Sequence, residues 1–312
     1  MRVVPPVGRP ETGVQALLTG SLYCRIKDES LNIFREGKRL LAGYNIVAAG
    51  DLRYITFDIF ENTGLVKHAF TTRRGGVSRD SFQGLNLASH VGDDPEAVVE
   101  NRISISSALG FGIEDMVVGQ QVHGDGVHIV RKEDRGRGAR DFSGAIPDAD
   151  ALVTNLPGIL LSSYYADCVP VMLLDPVRKA IGLAHAGWKG TMKRIAATTL
   201  KVMTDDFGTD PGRCLAVIAP SIGPCCYEVD QPVIWSFKGA GFDPGPFTKP
   251  AGEGRWKLNL QEANRITLVE AGIKPDSIGL AGMCTACSPD LFFSYRGQSG
   301  KCGRMAALMA LK

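Results

Sequence analysis

Histidine is scarce in this chain, in which 312 residues include five histidines and eight cysteines. A helix needs about 20 residues to cross a bilayer, and no uncharged apolar run is close to that length. The amino-terminal segment, MRVVPPVGRPETG, lacks the apolar core of a signal peptide. A net charge of +2 gives no indication of a nucleic acid or an anionic membrane as partner. We therefore expect a cytoplasmic monomer or small homo-oligomer, whose cysteines are thiols or metal ligands rather than disulfides.

Helix start and stop residues are clear at two places. Asp94 and Pro95 are typical of a helix start, and Gly110 of a helix end, so a helix is predicted over 95–109. A second helix is predicted between Asn259 and Gly272. Short apolar strands interleave with these helices along the chain. The pattern predicts an α/β or α+β fold with mixed β-sheets.

The domain organisation is predicted to change near residue 60. Residues 1–60 contain short strand-like runs between charged turns, which indicates an amino-terminal extension or a small β lobe. Residues 61–312 are expected to form the main domain. Within it, residues 238–256 are rich in glycine and proline and are predicted to be a long loop.

The segment 164–191 contains the clearest chemistry. Two runs of strand character, PVMLLD and AIGLAHA, are joined by the short polar turn DPVRK. Cys168 precedes the first run, and His185 lies at the end of the second. A hairpin or a crossover would bring the thiol and the imidazole to one edge of a sheet, where they could act as nucleophile and base or as ligands of a soft metal.

A third histidine extends the metal interpretation. His123 lies in the glycine-flanked turn QVHGDG, where it is free to point at a ligand. His123, Cys168 and His185 together supply the three protein ligands of a catalytic zinc, with a fourth position left open. Zinc in such a site lowers the pKa of water to about 7.

Three alternatives remain open for the same residues. Cys168 and His185 could form a thiolate–imidazolium pair of a hydrolase or acyl transferase, with Asp167 or another group orienting the ring. Two histidines, one cysteine and either Met172 or Met192 could instead hold copper. In the simplest alternative, Cys168 is a core thiol and His185 a hydrogen-bonded core histidine.

The segment TTRRGGVS is a candidate anion site. Gly75 and Gly76 would expose backbone N–H groups beside Arg73, Arg74 and Ser78, an arrangement that can hold phosphate. A solvated glycine turn explains the same residues, because short glycine patterns are weak indicators.

Five further cysteines carry less information. Cys284 and Cys287 have C-x-x-C spacing, Cys225 and Cys226 are adjacent, and Cys302 stands alone. The chain has no second C-x-x-C and no histidine after the first, which argues against a structural zinc site. We expect all five to be buried thiols.

Seven motifs in chain order resemble one known family. They are TTRRGGVS, LNLASHVGDDPEAVVENR, QVHG, ADCVPVMLLDP, AHAGWKG, IGPCCYEV and FFSYR. Together they resemble the laccase-domain family, whose members have been labelled multicopper polyphenol oxidases and, later, purine nucleoside phosphorylases. The resemblance extends from about residue 65 to residue 311 and leaves out the amino-terminal segment.

The resemblance implies a fold and an activity. The family's metal ligands fall on His123, Cys168 and His185, with zinc expected and copper as the alternative. The implied fold is a layered α/β/β/α sandwich with mixed β-sheets, related to cysteine hydrolases. The implied activity is phosphorolysis of adenosine, inosine and methylthioadenosine, together with deamination of adenosine. A multicopper oxidase would need many histidines, and this chain has five.

With that activity in view, further residues become candidates. Asp167 is a candidate proton shuttle for attack of water on the purine C6. The candidates for binding phosphate carry a positive charge or free backbone N–H groups: Arg73, Gly75, Gly76, Lys189 and Arg296. Asn86 and His90 are candidates for holding the nucleoside. Lys189 and Arg296 are explained more simply as surface charges than as ligands.

Overall fold

The computed structural model describes residues 42–312, so the strands expected within 1–41 lie outside the described part of the chain. Twelve of the strands form two six-stranded sheets. The first sheet contains β1 (Tyr44–Ala49), β2 (Leu52–Phe57), β3 (Val66–Thr71), β4 (Met116–Val118), β7 (Leu160–Tyr165) and β15 (Met305–Leu311). The second contains β5 (Val127–Ile129), β6 (Ala151–Thr154), β8 (Val169–Asp175), β9 (Ala180–Ala186), β10 (Leu215–Ile218) and β14 (Ile278–Leu280).

Both large sheets mix parallel and antiparallel pairs. The first has the order β1-β2-β3-β15-β7-β4 and is antiparallel except for β4 and β7. The second has the order β14-β10-β8-β9-β6-β5, with parallel pairs at its two ends. A small antiparallel sheet contains β11 (Glu228–Asp230), β12 (Thr248–Gly252) and β13 (Arg255–Leu258). The predicted mixed α/β class is confirmed.

The hairpin of β8 and β9 lies at the centre of the second sheet, and its residues are buried on both faces. Alternate side chains of a strand point to opposite faces. Met172 and Leu183 accordingly pack into the core shared with the first sheet. Val171 and Ala184 pack into a second core under the helices. Burial on both faces explains why these strands are almost continuously apolar.

Helices pack against both large sheets. The longer ones are α2 (Pro95–Leu109), α4 (Ile195–Phe207), α5 (Gln231–Gly239) and α6 (Leu260–Glu270), and the short ones are α1 (Asp58–Glu61) and α3 (Trp188–Met192). Ile105 and Leu109 of α2 pack with Leu308 of the first sheet. Met203 of α4 and Leu268 of α6 pack on the second sheet.

Both predicted helices are confirmed together with their caps. The Asp94 side chain accepts a hydrogen bond from the backbone N–H of Glu96, and Gly110 ends α2 with a φ of 87°. Asn259 accepts from the N–H of Glu262 at the start of α6. These caps satisfy N–H groups that the first turn of a helix leaves without partners.

Two predictions need correction. β2 pairs with β3, so the boundary placed at residue 60 cuts through a sheet, and residues 42–60 belong to the main domain. The predicted loop over 238–256 contains β12 and the first half of its partner β13, since the glycines there turn a hairpin instead of leaving an irregular loop. Among residues 42–312, no helix is both long and apolar enough to cross a membrane.

Candidate metal centre and its cavity

The fold brings His123, Cys168 and His185 together from one loop and from the ends of two neighbouring strands. Cys168 directly precedes β8, and His185 lies in β9 opposite Pro170. His123 comes from the loop between β4 and β5 and has a φ of 60°. Their ligand atoms all lie within 4.8 Å of one another, and Cys168 Sγ is 3.8 Å from His123 Nε2.

These distances fit a tetrahedral metal ion. Zinc–nitrogen bonds of about 2.0 Å and zinc–sulfur bonds of about 2.3 Å place nitrogen and sulfur ligands about 3.6 Å apart. The separation of 3.8 Å between Cys168 and His123 is close to that value. His123 is exposed and His185 is buried, so the trio borders solvent on one side. These three side chains could therefore hold a metal with an open coordination position.

Asp150 positions two of the three candidate ligands. Its Oδ1 lies 2.8 Å from Nδ1 of His185, which leaves Nε2 of that ring for a metal. The same carboxylate accepts hydrogen bonds from the backbone N–H groups of Val122, His123 and Gly124, at 2.7–3.1 Å. Asp150 is 1% exposed, so this carboxylate is a fixed buried support for the site.

The charges of the metal-free trio favour a thiolate and an imidazolium. Burial opposes ionisation of Cys168, but the charge of His185 and a hydrogen bond from His123 lower its pKa to about 6. Burial likewise opposes protonation of His185, but the Cys168 thiolate and Asp150 raise its pKa to about 9. Hydrogen bonds from His185 and from the backbone hold the pKa of Asp150 low in spite of its burial. Deprotonated sulfur is the form that binds a metal.

Gly187 allows the ligands to approach the backbone after β9. A Cβ atom at this position would lie 3.0 Å from His123 Cδ2 and 3.1 Å from Cys168 Sγ. A larger residue would therefore push on two of the three candidate ligands.

Asp167 stands beside the trio in a strained backbone conformation, with a φ of 87°. Such conformations cost a non-glycine residue about 1–2 kcal/mol. Its carboxylate accepts a hydrogen bond of 2.6 Å from Thr285 Oγ1 and one of 2.7 Å from the backbone N–H of Arg296. Asp167 therefore connects the metal-ligand loop to the carboxy-terminal segment.

A cavity of about 510 Å³ opens above the trio. Its walls combine aromatic rings with cationic groups, contributed by His90, Tyr164, Trp188, Tyr227, Tyr295, Arg296 and Arg304. Burial, followed by the Cys168 charge, raises the pKa of Tyr227 to about 12. Burial and then the charge of Arg304 lower the pKa of His90 to about 4. His90 is therefore neutral at pH 7.

The predicted anion loop lines a different cavity. Arg73, Gly75 and Gly76 border a polar cleft together with Asp290, outside the cavity of the trio. The Arg73 guanidinium donates to the backbone carbonyls of Pro289 and Gln83 at 3.2 and 3.3 Å. Arg73 thus makes structural contacts, and its predicted phosphate role stays a prediction.

The other predicted binding residues divide into two groups. His90 and Arg296 line the cavity of the trio. Asn86 is fully buried, and its amide hydrogen-bonds Ala88 O and Asp93. Lys189 is exposed, with its ammonium 5.8 Å from the centre of the Trp188 ring. The predicted roles of Asn86 and Lys189 in substrate binding also stay predictions.

The expectation that all five cysteines are buried thiols is met by Cys284 and Cys302, whereas Cys225, Cys226 and Cys287 are only half-buried. Cys225, Cys226, Cys284 and Cys287 form one cluster whose sulfur atoms all lie within 4.8 Å of one another. Cys302 lies outside this cluster and is buried. The tertiary fold brings together two cysteine pairs that are far apart in the sequence.

Several residues of the site escaped the sequence argument. Asp150 had no visible partner within its own segment, and Tyr227, Tyr295 and Arg304 carry side chains that are common on surfaces. Tyr227 and Tyr295 could have been identified from the family-like motifs IGPCCYEV and FFSYR, which contain them.

Met172 lies in the core between the sheets, and Met192 packs in the core beneath the helices. Neither lines the cavity, which leaves the copper alternative without its methionine ligand.

The fold and the site define a mixed α/β protein with a His–Cys–His centre at the base of an aromatic cavity. The chain belongs to the multi-copper polyphenol oxidoreductase laccase family, whose model matches residues 67–312.

Relatives and a solved structure agree with this assignment. The chain is 40% identical over 240 residues to the purine nucleoside phosphorylase YlmD of Geobacillus stearothermophilus, covering 77% of this chain and 88% of that protein. It is 35% identical over 239 residues to adenosine deaminase RL5 from an unknown prokaryotic organism, covering 76% and 90%. The crystal structure of the Geobacillus YlmD superimposes with a TM-score of 0.81 at 36% identity, covering 86% of this chain and all of that one.

Proposed function

We propose that the protein is a zinc-dependent purine nucleoside phosphorylase that acts on adenosine, inosine and methylthioadenosine, and that it also deaminates adenosine. The observation that carries the proposal is the position of His123, Cys168 and His185 at the base of a cavity lined by aromatic rings and two arginines. Relatives named purine nucleoside phosphorylase and adenosine deaminase support it.

His123, Cys168 and His185 would hold the zinc, with Asp150 fixing both histidine-bearing segments. When bound, the ion would supply Lewis-acid chemistry, polarising an oxygen or lowering the pKa of water. Asp150 keeps Nδ1 of His185 engaged at 2.8 Å, which directs Nε2 towards the open side.

The aromatic walls suit a purine base. Tyr227 and Tyr295 line the cavity on the side of the carboxy-terminal segment, and Trp188 contributes a third ring. Flat rings of this kind stack on the faces of bases at about 1–3 kcal/mol per base. His90, held neutral by its low pKa, can donate or accept one hydrogen bond with the nucleoside.

Phosphorolysis forms a bond between a phosphate oxygen and C1′ and breaks the bond between C1′ and N9. The purine leaves with the bonding electron pair and must gain a proton. We place the phosphate beside Arg296 and Arg304, because both line the cavity of the trio and the RRGG loop does not. A guanidinium group can bind two phosphate oxygens at once. Such binding would also align the attacking oxygen.

Deamination replaces the amino group at C6 with an oxygen from water and releases ammonia. Two protons must move during this exchange, and Asp167 is the carboxylate nearest the trio along the chain. Its two oxygens accept hydrogen bonds from Thr285 and Arg296, which hold it beside the cavity. We propose that Asp167 carries these protons.

We propose for the described layers the order α/β/β/α, with the relation to cysteine hydrolases that the resemblance implied. A second candidate function follows from the low pKa of Cys168, about 6 in the metal-free trio. A thiolate beside His185 can attack a carbonyl carbon, so a cysteine hydrolase is the competing activity.

The test is a comparison of adenosine turnover with and without phosphate. The proposal predicts that phosphate is required for adenine release and that adenine and ribose 1-phosphate form in equal amounts. Cys168→Ala should abolish the reaction, while Cys214→Ala, a buried cysteine outside the site, should keep it. Bound copper with oxidation of phenols, or a metal-free protein that hydrolyses acyl substrates, would overturn the proposal.

A further inference from the structure

The cluster of Cys225, Cys226, Cys284 and Cys287 combines two distant segments. Cys225 and Cys226 lie in a tight turn after β10, where Gly223 O accepts the N–H of Cys226 at 3.0 Å. Cys284 and Cys287 lie in the segment that follows β14. Cys287 Sγ is 3.5 Å from Cys225 Sγ and 3.3 Å from Cys226 Sγ, and all four sulfur atoms lie within 4.8 Å of one another.

The spacing of these sulfur atoms matches a tetrahedral metal site. A zinc–sulfur distance of about 2.3 Å places the sulfur atoms of a four-thiolate site about 3.8 Å apart. The observed distances, from 3.3 Å up to the limit of 4.8 Å, bracket that value. Four sulfur ligands in this arrangement favour zinc or iron over magnesium or calcium, which prefer oxygen.

The surrounding backbone supports a thiolate at Cys284. Its sulfur accepts the backbone N–H of Gly223 at 3.2 Å, and hydrogen bonds of this kind stabilise metal-bound thiolates. A Cβ atom at residue 223 would lie 3.2 Å from Cys284 Cβ and 3.3 Å from Cys225 Sγ. Glycine at this position therefore lets the turn approach the sulfur atoms closely.

A disulfide explains the cluster less well. A disulfide needs sulfur atoms about 2.05 Å apart, and Cys287 Sγ is 3.3 and 3.5 Å from the sulfur atoms of the first cysteine pair. One disulfide would use two of the four sulfur atoms and leave the other two as thiols beside it. A metal ion uses all four at once.

The cluster adjoins one wall of the cavity above His123, Cys168 and His185. Ile222 and Tyr227, which flank the first cysteine pair, both line that cavity. Thr285, between the second pair, donates a hydrogen bond of 2.6 Å to Asp167. A link between the two segments would hold this wall in place. Four protein ligands complete a tetrahedral zinc site, so such a site is structural rather than catalytic.

We propose that Cys225, Cys226, Cys284 and Cys287 form a second, structural zinc site that clamps the wall of the cavity. This site is separate from the His–Cys–His trio, shares no ligand with it and stands whether or not the trio turns over nucleosides.

The first test counts metal by mass spectrometry in purified wild-type protein and in matched variants. Cys287→Ala should lose one zinc per chain relative to wild type, and Cys214→Ala should lose none. Cys168→Ala should retain the zinc of the cluster. Equal zinc in Cys287→Ala and wild type, iron in place of zinc, or an intact mass two hydrogens lower from a Cys226–Cys287 disulfide would overturn the proposal.

A second test keeps all four cluster cysteines, so it does not depend on the folding of a cluster variant. Cobalt replaces zinc in Cys168→Ala, which removes the sulfur ligand of the trio. Intense thiolate-to-cobalt charge-transfer absorption should persist, because the cluster supplies four sulfur ligands. Absence of this absorption would contradict the second site. If the absorption is present while zinc-loaded wild-type protein is inactive on nucleosides, the second site stands and only the proposed activity is rejected.

Discussion

The Asp150 carboxylate lies 2.8 Å from Nδ1 of His185 and also accepts the backbone N–H of His123 at 3.0 Å. One buried carboxylate thus holds the ring of His185 and the backbone of His123 in the candidate metal centre. It also ties the loop between β4 and β5 to strand β9.

Asp150→Asn should weaken metal binding with little change in fold. The amide of asparagine can accept a hydrogen bond only on its oxygen. It also lacks the negative charge with which the carboxylate interacts favourably with His185. The affinity for zinc should therefore fall about 10–100-fold. Competition with a chelator measures the change. Asp134→Asn is the matched control, because Asp134 pairs with His128 at 3.0 Å outside the trio. Equal zinc affinities in both variants would show that Asp150 does not support the metal.

Gly187→Ala should also weaken the centre. The added methyl group would meet His123 Cδ2 at 3.0 Å and Cys168 Sγ at 3.1 Å, so the ligands must shift apart. We expect a loss of zinc affinity and of kcat together, measured by chelator competition and by adenosine turnover. Gly239→Ala, where a Cβ atom meets nothing within 4 Å, should leave both unchanged. A fully active Gly187→Ala protein would mean that the trio tolerates displacement.

Cys168 of the metal-free protein should react as a thiolate at mildly acidic pH. Its pKa of about 6 lies below the ordinary value of 9.0, so alkylation should rise as pH increases through about 6. Iodoacetamide labelling across pH, read at the Cys168 peptide by mass spectrometry, measures the midpoint. His185→Gln should move that midpoint towards 9, since the charge of His185 is the largest influence that lowers the pKa. A midpoint near 9 in the unmodified protein would contradict the ion pair.

His68 makes stability depend on pH. Burial, and then the charge of Lys312, lower its pKa to about 4, and its Nε2 accepts the N–H of Phe57 at 2.8 Å. The unfolded chain takes up a proton below its ordinary pKa of 6.5, whereas the folded protein does so only near 4. The contribution to stability is therefore complete above pH 6.5 and is lost as pH falls towards 4.

Urea unfolding at pH 7 and pH 5 measures this effect. The free energy of unfolding of wild type should fall between these values by about 2 kcal/mol more than that of His68→Gln. Circular dichroism at pH 7 checks that the variant is folded. An identical pH dependence in the two proteins would show that His68 is protonated equally in the folded and unfolded states.

Local features of the chain were predictable from the sequence. The apolar runs of β8 and β9 and the caps at Asp94 and Asn259 involve residues within a few positions of one another. The strand character of 248–258 was hidden because glycine and proline, typical of loops, also make the turn of its hairpin.

Contacts across the chain were not predictable in the same way. Asp150 and His185 are 35 residues apart, and Cys226 and Cys287 are 61 apart. Their proximity follows from how the sheets order their strands, which no local pattern encodes. The trio itself was selected by ligand chemistry and by a family resemblance.

The most direct measurement follows ribose 1-phosphate by phosphorus NMR in protein stripped of metal and then resupplied with zinc. We predict that stripped protein forms no ribose 1-phosphate from adenosine and phosphate, that zinc restores its formation, and that His185→Ala stays inactive with zinc present. Formation of ribose 1-phosphate at the full rate by the stripped protein, or by His185→Ala, would contradict the claim that the trio holds the metal required for this reaction.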